Sequence, residues 1–543
     1  MKAGRASTVL LALIAAACTS DPEGISWTAP ICAAGRAACG HRCVDLAADP
    51  MNCGGCGIPC TADQTCTDGA CLCPTGQRDC NGSCIAEASP CGAAEGLSLV
   101  TSAPGAYWKT DGQLTEVTDG SADVTVDDTA TAQTWEGFGG SFNEIGWSVL
   151  SMLSPADRDA AINLLYGADG ARFAFGRIPI GASDYALERY TLDETPDDAS
   201  LADFSIARDV QTLIPYVKAA QAVRANIRLW ASPWTPPTWM KEGPFSPGNV
   251  VSPFDGGSMK GDDATLAAFA QYLIRFVRAY AEAGIAVEAI SPQNEPNYTG
   301  NYPTCGWSPA TYTKFVGQFL GPAFTDAGLT TKVMLGTFNG GGSDRAIVGS
   351  VMTDPAADDV IQVLGFQWGM RDAVAGARQL SLPIWQTEHM CGNYPWAKPF
   401  DATRAPNDQA YAVESWGLVR DWIRAGVTAY SVWNMVLDTT GVGIDTTRVW
   451  PQDALLTVDT ATRTLNVTPA YYVFRHFSRF VATGAKVVAT RGGDAVAFKN
   501  PDESIVVVVR NAGEARTMTI AAAGKKLQFA VPADGWATVV AAR

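Results

Sequence analysis

The chain has 543 residues, 47% hydrophobic and 17% charged, long enough for about two to four domains and too apolar for wholesale disorder. Lys and Arg total 39 against 55 Asp and Glu, a net charge of −16, which makes the chain a poor nucleic-acid binder because phosphate neutralisation needs clustered cations. With only 3 His, a multi-histidine metal site or a His-based triad is hard to assemble, and no cofactor or metal is expected.

Lys2 and Arg5 precede an unbroken apolar stretch from Val9 to Ala17. It is too short to cross a bilayer as a helix, which takes about 20 residues, and reads as an export signal over residues 1–18. Ala15-Ala16-Ala17-Cys18 resembles a bacterial lipoprotein cleavage box, although Ala15 stands where Leu is usual. Cys18 is therefore the candidate for lipid attachment, and plain secretion after a cut near Ala17 is the alternative. No later segment has the apolar length of a membrane span, so contact with a membrane is expected only through that anchor.

Residues 19–94 form a cysteine-rich segment. Thirteen of the 15 Cys lie between Cys18 and Cys91, and setting Cys18 aside leaves twelve. An even number in a short exported stretch with few large apolar residues predicts disulfides in place of a core. Cys53-Gly-Gly-Cys56 could also be a zinc or redox pair, but export and the crowding of other cysteines favour bridges. The segment reads as a rigid spacer, or more sharply as a module that binds a surface or polysaccharide.

Residues 95–130 are strand-like, and from 131 to 461 β-like runs alternate with amphipathic helices. The runs are Trp135–Ser141, Phe173–Pro179, Ile227–Ser232, Ala289–Asn294, Lys332–Thr337, Val363–Trp368, Ile384–Glu388 and Ala429–Asn434. Leu266–Ala283 and Asp408–Ala425 are among the helices between them. Eight βα units predict a closed (β/α)8 barrel, an α/β fold, with an open doubly wound sheet as the alternative. Residues 462–543 are all β, including Ser504–Val509, Arg516–Ile520, Leu527–Val531 and Ala537–Ala541. They predict a β-sandwich that shares strands with residues 95–130.

Catalytic residues of such barrels sit at the C-terminal ends of strands. Two carboxylates end the fourth and seventh runs: Glu295, in Gln293-Asn294-Glu295-Pro296, and Glu388, in Trp385-Gln386-Thr387-Glu388. Strands four and seven lie roughly across the barrel mouth, so the two can face each other over a substrate. Glycosidic cleavage needs such a pair, one to protonate the leaving oxygen and one to attack the anomeric carbon or activate water. A single Glu at a strand end is more often a structural ion pair; both together are not.

Four stretches occur in order: Trp135-Glu136-Gly137-Phe138-Gly139-Gly140-Ser141-Phe142, Arg177-Ile178-Pro179-Ile180-Gly181, Ala231-Ser232-Pro233-Trp234-Thr235-Pro236-Pro237 and Gln293-Asn294-Glu295-Pro296. They resemble glycoside hydrolase family 30, which holds glucosylceramidases and β-1,6-glucanases, over about residues 97–543. The resemblance implies a barrel with an attached sandwich and a retaining double displacement. By that resemblance Glu295 is the acid/base and Glu388 the nucleophile. Asn294 bonds the sugar 2-hydroxyl, Asp184 grips distal hydroxyls, Trp234 and Trp433 wall the subsite, and Arg177 holds the nucleophile ionised. Where many relatives carry His or Tyr near the nucleophile, this chain has Gln367-Trp368, leaving the orienting bond to Glu388 unassigned. His389 follows Glu388 directly and should point to the opposite face of its strand. Cys305 and Cys391 each follow a catalytic Glu in a loop, and a bridge between them is expected.

The implied partner is a β-glucan or a β-glucosyl glycolipid, bound by a monomer. A β-xylanase or xylosidase of the same family, and a non-catalytic carbohydrate-binding surface lipoprotein, are the alternatives. The basic contacts of glucuronoxylan cutters have no counterpart here.

Overall fold

The computed structural model describes residues 29–40, 42–58, 60, 64–80, 83–86, 98–245 and 252–542. The predicted signal, Cys18 and Cys91 lie outside them. Eight parallel strands close into a barrel. They are β1 (Gly137–Ser141), β2 (Phe175–Ile180), β3 (Arg228–Pro233), β4 (Ala289–Ile290), β5 (Lys332–Phe338), β6 (Ile361–Phe366), β7 (Ile384–Gln386) and β8 (Ala429–Asn434). The register Gly137↔Ala429 joins β8 to β1 and excludes an open sheet. Helices such as Asp263–Glu282 and Gln409–Ala425 cover the strands. Each begins where a carboxylate accepts an orphan N–H of the first turn, Asp262 from Thr265 N and Asp408 from Tyr411 N.

The pleat sorts the barrel interior into layers. Alternate residues of β3 rise from Arg228 to Trp230 to Ser232. At the base, Arg228 pairs with Glu136 (2.8 Å) and Glu288 (2.5 Å), and Lys332 also reaches Glu288 (3.1 Å). Burial pushes Glu288 up, but the two cations pull it further down, to about 2. Above lies an apolar layer of Phe175, Trp230, Ala289, Met334, Val363, Trp385 and Ala429. Ser232 and Arg177 stand above that layer, at the mouth.

The sandwich is discontinuous in sequence. Leu99–Ala103, Ala106–Lys109, Thr115–Val117 and Val124–Thr134 join a sheet with six strands between Lys486 and Ala541. Before that second segment, the helix Pro469–Ser478 packs on Gln409–Ala425 and β1, closing the barrel's outer ring.

Among the described residues five disulfides hold the N-terminal module: Cys32–Cys43, Cys39–Cys56, Cys53–Cys66, Cys60–Cys71 and Cys73–Cys84. Cys53 and Cys56 take different partners, so they are not a redox or zinc pair. The sulfurs of Cys53, Cys60 and Cys71 do cluster within 4.8 Å, but all three are in disulfides and carry no thiolate for a metal. Such bridges persist in oxidising compartments, which fits an exported chain. Among the described residues no helix is long and apolar enough to cross a membrane.

The module sits against the N-terminal ends of β6 and β7. Gly40 N–H donates to Leu380 O (2.7 Å), and Arg42 pairs with Asp359 (2.9 Å). The fit is close enough that a β-carbon at Gly57 would lie 1.9 Å from Pro383 Cγ.

Candidate active site

The mouth of the barrel holds a cleft of about 780 Å3 including its open side, with Glu295 and Glu388 both in its lining. Glu295 follows β4, and its backbone holds φ 46°, in the left-handed region that non-glycine residues rarely occupy. Its N–H donates to Thr337 O (3.0 Å), which fixes the turn against β5. Glu388 follows β7.

Arg177, at the top of β2, organises the floor. Its side chain is fully buried, so its charge requires a local counter-ion. Nη1 donates to Glu388 Oε2 (2.8 Å), while Nη2 donates to Asn294 Oδ1 (2.6 Å) and Ser232 Oγ (3.0 Å). Its guanidinium carbon lies 4.2 Å from the Trp234 ring centroid, 4.9 Å from Trp230 and 5.3 Å from Trp433. Trp234 and Trp433 also stack on each other at 5.1 Å and are almost completely buried. The aromatic side chains that line the cleft are Tyr185, Tyr298, Tyr302, Trp368, Trp396 and Trp450.

Asn294 Oδ1 accepts from both Arg177 and Thr337 Oγ1 (2.8 Å), so its NH2 group is what it offers a ligand. Asp184 is in the lining too, and its Oδ1 is buried without a partner among the described residues. Burial, reinforced by the charge of Glu388, pushes the Asp184 carboxyl well above its ordinary range.

The two glutamates sit in different surroundings. Burial and then the charge of Glu388 raise Glu295, to about 7, against hydrogen bonds from Gln367 and Asn339. Gln367 Nε2 donates to Glu295 Oε1 (3.1 Å) and is held by Thr387 Oγ1 on its own Oε1 (2.9 Å). Trp368 Nε1 donates to Glu388 Oε1 (3.0 Å), from a residue with φ 48°. The pair Gln367-Trp368 thus contacts both glutamates, and the indole makes the bond to Glu388 that the sequence left unassigned. Asn339, Thr337 and the outer aromatics were not singled out from the sequence; the aromatic run Tyr394-Pro395-Trp396 just after Glu388 was an available signal.

His389 points away from the mouth. It is buried between Tyr430 (2.5 Å) and Ser415 (3.1 Å), and burial lowers its pKa to about 3. The expected Cys305–Cys391 bridge is absent, and both are buried free thiols. Cys305 packs in the main core beside Trp307, whereas Cys391 belongs to the cluster of Tyr185, Trp234 and Trp433 beneath the cleft. The loops that carry them are anchored separately, Gly306 on Gly257 and Cys391 on Asp453.

Comparison with known proteins agrees with this geometry. Residues 135–481 match the glycosyl hydrolase family 30 TIM-barrel domain, and residues 484–539 match the family 30 beta sandwich domain. A Neurospora crassa endo-1,6-beta-D-glucanase is 28% identical over 420 residues, covering 72% of this chain and 81% of its own. The mouse (Mus musculus) lysosomal acid glucosylceramidase is 26% identical over 408 residues, covering 69% and 74%. Among solved structures, the endo-beta1,6-glucanase BT3312 superposes with a TM-score of 0.69 at 22% identity, over 82% of this chain and 99% of that one, a likeness of fold. SrfJ from Salmonella typhimurium does so at 0.70 and 23%, with the same coverage. With its barrel, its sandwich and two glutamates at one cleft, the chain is a β-glycoside hydrolase and belongs to glycoside hydrolase family 30.

Proposed function

We propose that this hydrolase cuts β-1,6-linked glucan with retention of configuration, using Glu388 as nucleophile and Glu295 as acid/base. The observation that carries the reading is the electrostatic contrast at one cleft: Glu295 held up to about 7, Glu388 ion-paired to a buried arginine at 2.8 Å. In the first step the Glu388 carboxylate attacks the anomeric carbon. The bond to the leaving oxygen breaks, and Glu295 gives that oxygen its proton. In the second step Glu295, now a carboxylate, takes a proton from water. That water attacks the same carbon and releases Glu388. Asn294 offers its NH2 group to the 2-hydroxyl, and the unpartnered, buried Asp184 Oδ1 accepts from a distal hydroxyl of the same sugar.

The polar groups Asp445 and Arg448 in the lining support a carbohydrate rather than an acyl chain beyond the scissile bond. The second reading is glucosylceramide, supported by the aromatic share of the same lining. An exported chain held by lipid at Cys18, with the cysteine-rich segment as a spacer, suits a polymer substrate. The test is product analysis of the purified enzyme on linear β-1,6-glucan and on glucosylceramide in detergent. Short β-1,6 oligosaccharides from the first support the proposal; glucose from the second alone refutes it in favour of the glycolipid.

A further inference from the structure

One exposed tryptophan on the rim of the cleft has no role in the steps above. Trp396 is 61% exposed, and no other tryptophan among the described residues is exposed. A lone exposed apolar residue needs no explanation, but this indole is braced. Tyr394 stacks beside it at 5.3 Å and 28°, Trp450 meets it edge-on at 5.1 Å, and Trp368 approaches at 6.5 Å. Trp368 in turn donates to Glu388, so the shelf is continuous with the nucleophile.

The loop that carries Trp396 is fixed to its neighbour. Asn393 Nδ2 donates to Asp401 O (3.0 Å), Arg404 O (3.0 Å) and Pro451 O (2.9 Å), and Trp450 Nε1 donates to Gly392 O (2.9 Å). Holding a large flat surface rigid in water gives up side-chain freedom in advance, which lowers the later cost of binding.

The position of the shelf assigns it a side. Asp184 belongs to the buried part of the same lining, whereas Trp396 is exposed at its rim. Ile444 N–H donates to Asp184 O (2.8 Å), and a side chain at Gly443 would meet that carbonyl at 2.4 Å. A sugar seated against the buried Asp184 must therefore send its leaving group toward the exposed rim, where Trp396 stands against Trp450.

We propose that Trp396 is the stacking platform of a leaving-group subsite, taking the C–H face of a pyranose ring beyond the scissile bond. The proposal rests on the reading of the cleft as a β-glucan site. Arg448, which lies over the Trp450 ring at 5.6 Å and is ion-paired to Asp445 at 3.9 Å, is in the same lining and offers N–H donors for the ring's hydroxyls, which is the chemistry of a neutral sugar.

The test compares two substrates in the full-length enzyme, its Trp396→Ala variant and its Trp396→Phe variant. β-Glucosyl fluoride has a one-atom leaving group that cannot reach the platform; a β-1,6-linked glucotriose places a ring there. The ratio of kcat/KM on glucotriose to kcat/KM on the fluoride should fall about tenfold or more in Trp396→Ala, mainly through KM, and recover largely in Trp396→Phe. Equal losses on both substrates, or no loss on glucotriose, overturn the platform. A wild type that cleaves the fluoride and glucosylceramide but not glucotriose refutes the β-glucan reading by itself. A Trp396→Ala loss confined to glucosylceramide would then overturn the pyranose assignment in favour of a lipid alcohol.

Discussion

Glu295 offers the sharpest test of the electrostatics, because its environment assigns it a proton near neutrality. Burial and the neighbouring Glu388 charge raise its pKa to about 7. A general acid works only in its protonated form, so kcat/KM should follow the acid fraction. That fraction is about one half at pH 7, about one tenth at pH 8 and about one hundredth at pH 9. On a substrate with a poor leaving group, the alkaline limb should therefore fall about tenfold per pH unit above 7. Glu295→Gln removes the titrating group and the proton donor together. The variant should lose about 10²–10⁴-fold on oligosaccharides and keep far more activity on β-glucosyl fluoride, whose departure needs no protonation. Its remaining fluoride activity should lack the alkaline limb. The assay is initial rates from pH 5 to 10 on both substrates for both proteins. An unchanged alkaline limb in Glu295→Gln would refute the assignment, as would a wild-type limb with a midpoint near 4.5.

Arg177→Met should cost about 3–5 kcal/mol in urea unfolding, because it leaves the buried Glu388 without its counter-ion. Arg177→Lys should retain the fold but lose about tenfold or more in kcat, since a lysine ammonium lacks the rigid planar fork that holds Glu388, Asn294 and Ser232 in fixed geometry; a kcat within twofold of wild type would contradict this. Burial raises Asp453 and Asp344 to about 8 each, above their unfolded value near 3.9, so the folded state binds their protons more tightly. Their contribution to stability is complete below about pH 4 and is lost as pH rises through 8. Tm should therefore fall between pH 6 and 9, and Asp453→Asn should shrink that fall; an equally steep fall in the variant would argue against it. Finally, peptide mapping after alkylation of the unfolded, unreduced chain should find label on Cys305 and Cys391, and none on either residue would restore the expected bridge.

The sequence made the barrel and the two glutamates legible for a local reason. Each glutamate ends an apolar β run, and apolar runs separated by amphipathic helices leave few folds to consider. Even β4, which pairs over only Ala289–Ile290, was visible because Pro292 and Pro296 punctuate its exit. The residues that orient the glutamates were less visible. Gln367, Trp368, Thr337 and Asn339 come from β5 and β6, and only closure of the barrel brings them to Glu295 and Glu388. The thiol pair failed because proximity to catalytic residues in sequence does not bring two loops together; each loop has its own backbone anchor. Trp234 and Trp433 were legible as residues of the mouth, but not as the packing around Arg177, because burial depends on what the opposite strands contribute. In the sandwich, Lys486–Arg491 and Asp494–Lys499 escaped notice because Thr490, Arg491 and the paired Gly492-Gly493 interrupt their alternation.

The seat of the cysteine-rich module has a consequence for how the enzyme meets its substrate. The module grips the ends of β6 and β7 opposite to the ends that carry Trp368 and Glu388. The described residues of the module therefore dock on the barrel face away from the catalytic mouth and supply none of the side chains that line the cleft, so changes in the module can alter how the enzyme is held without altering the site itself.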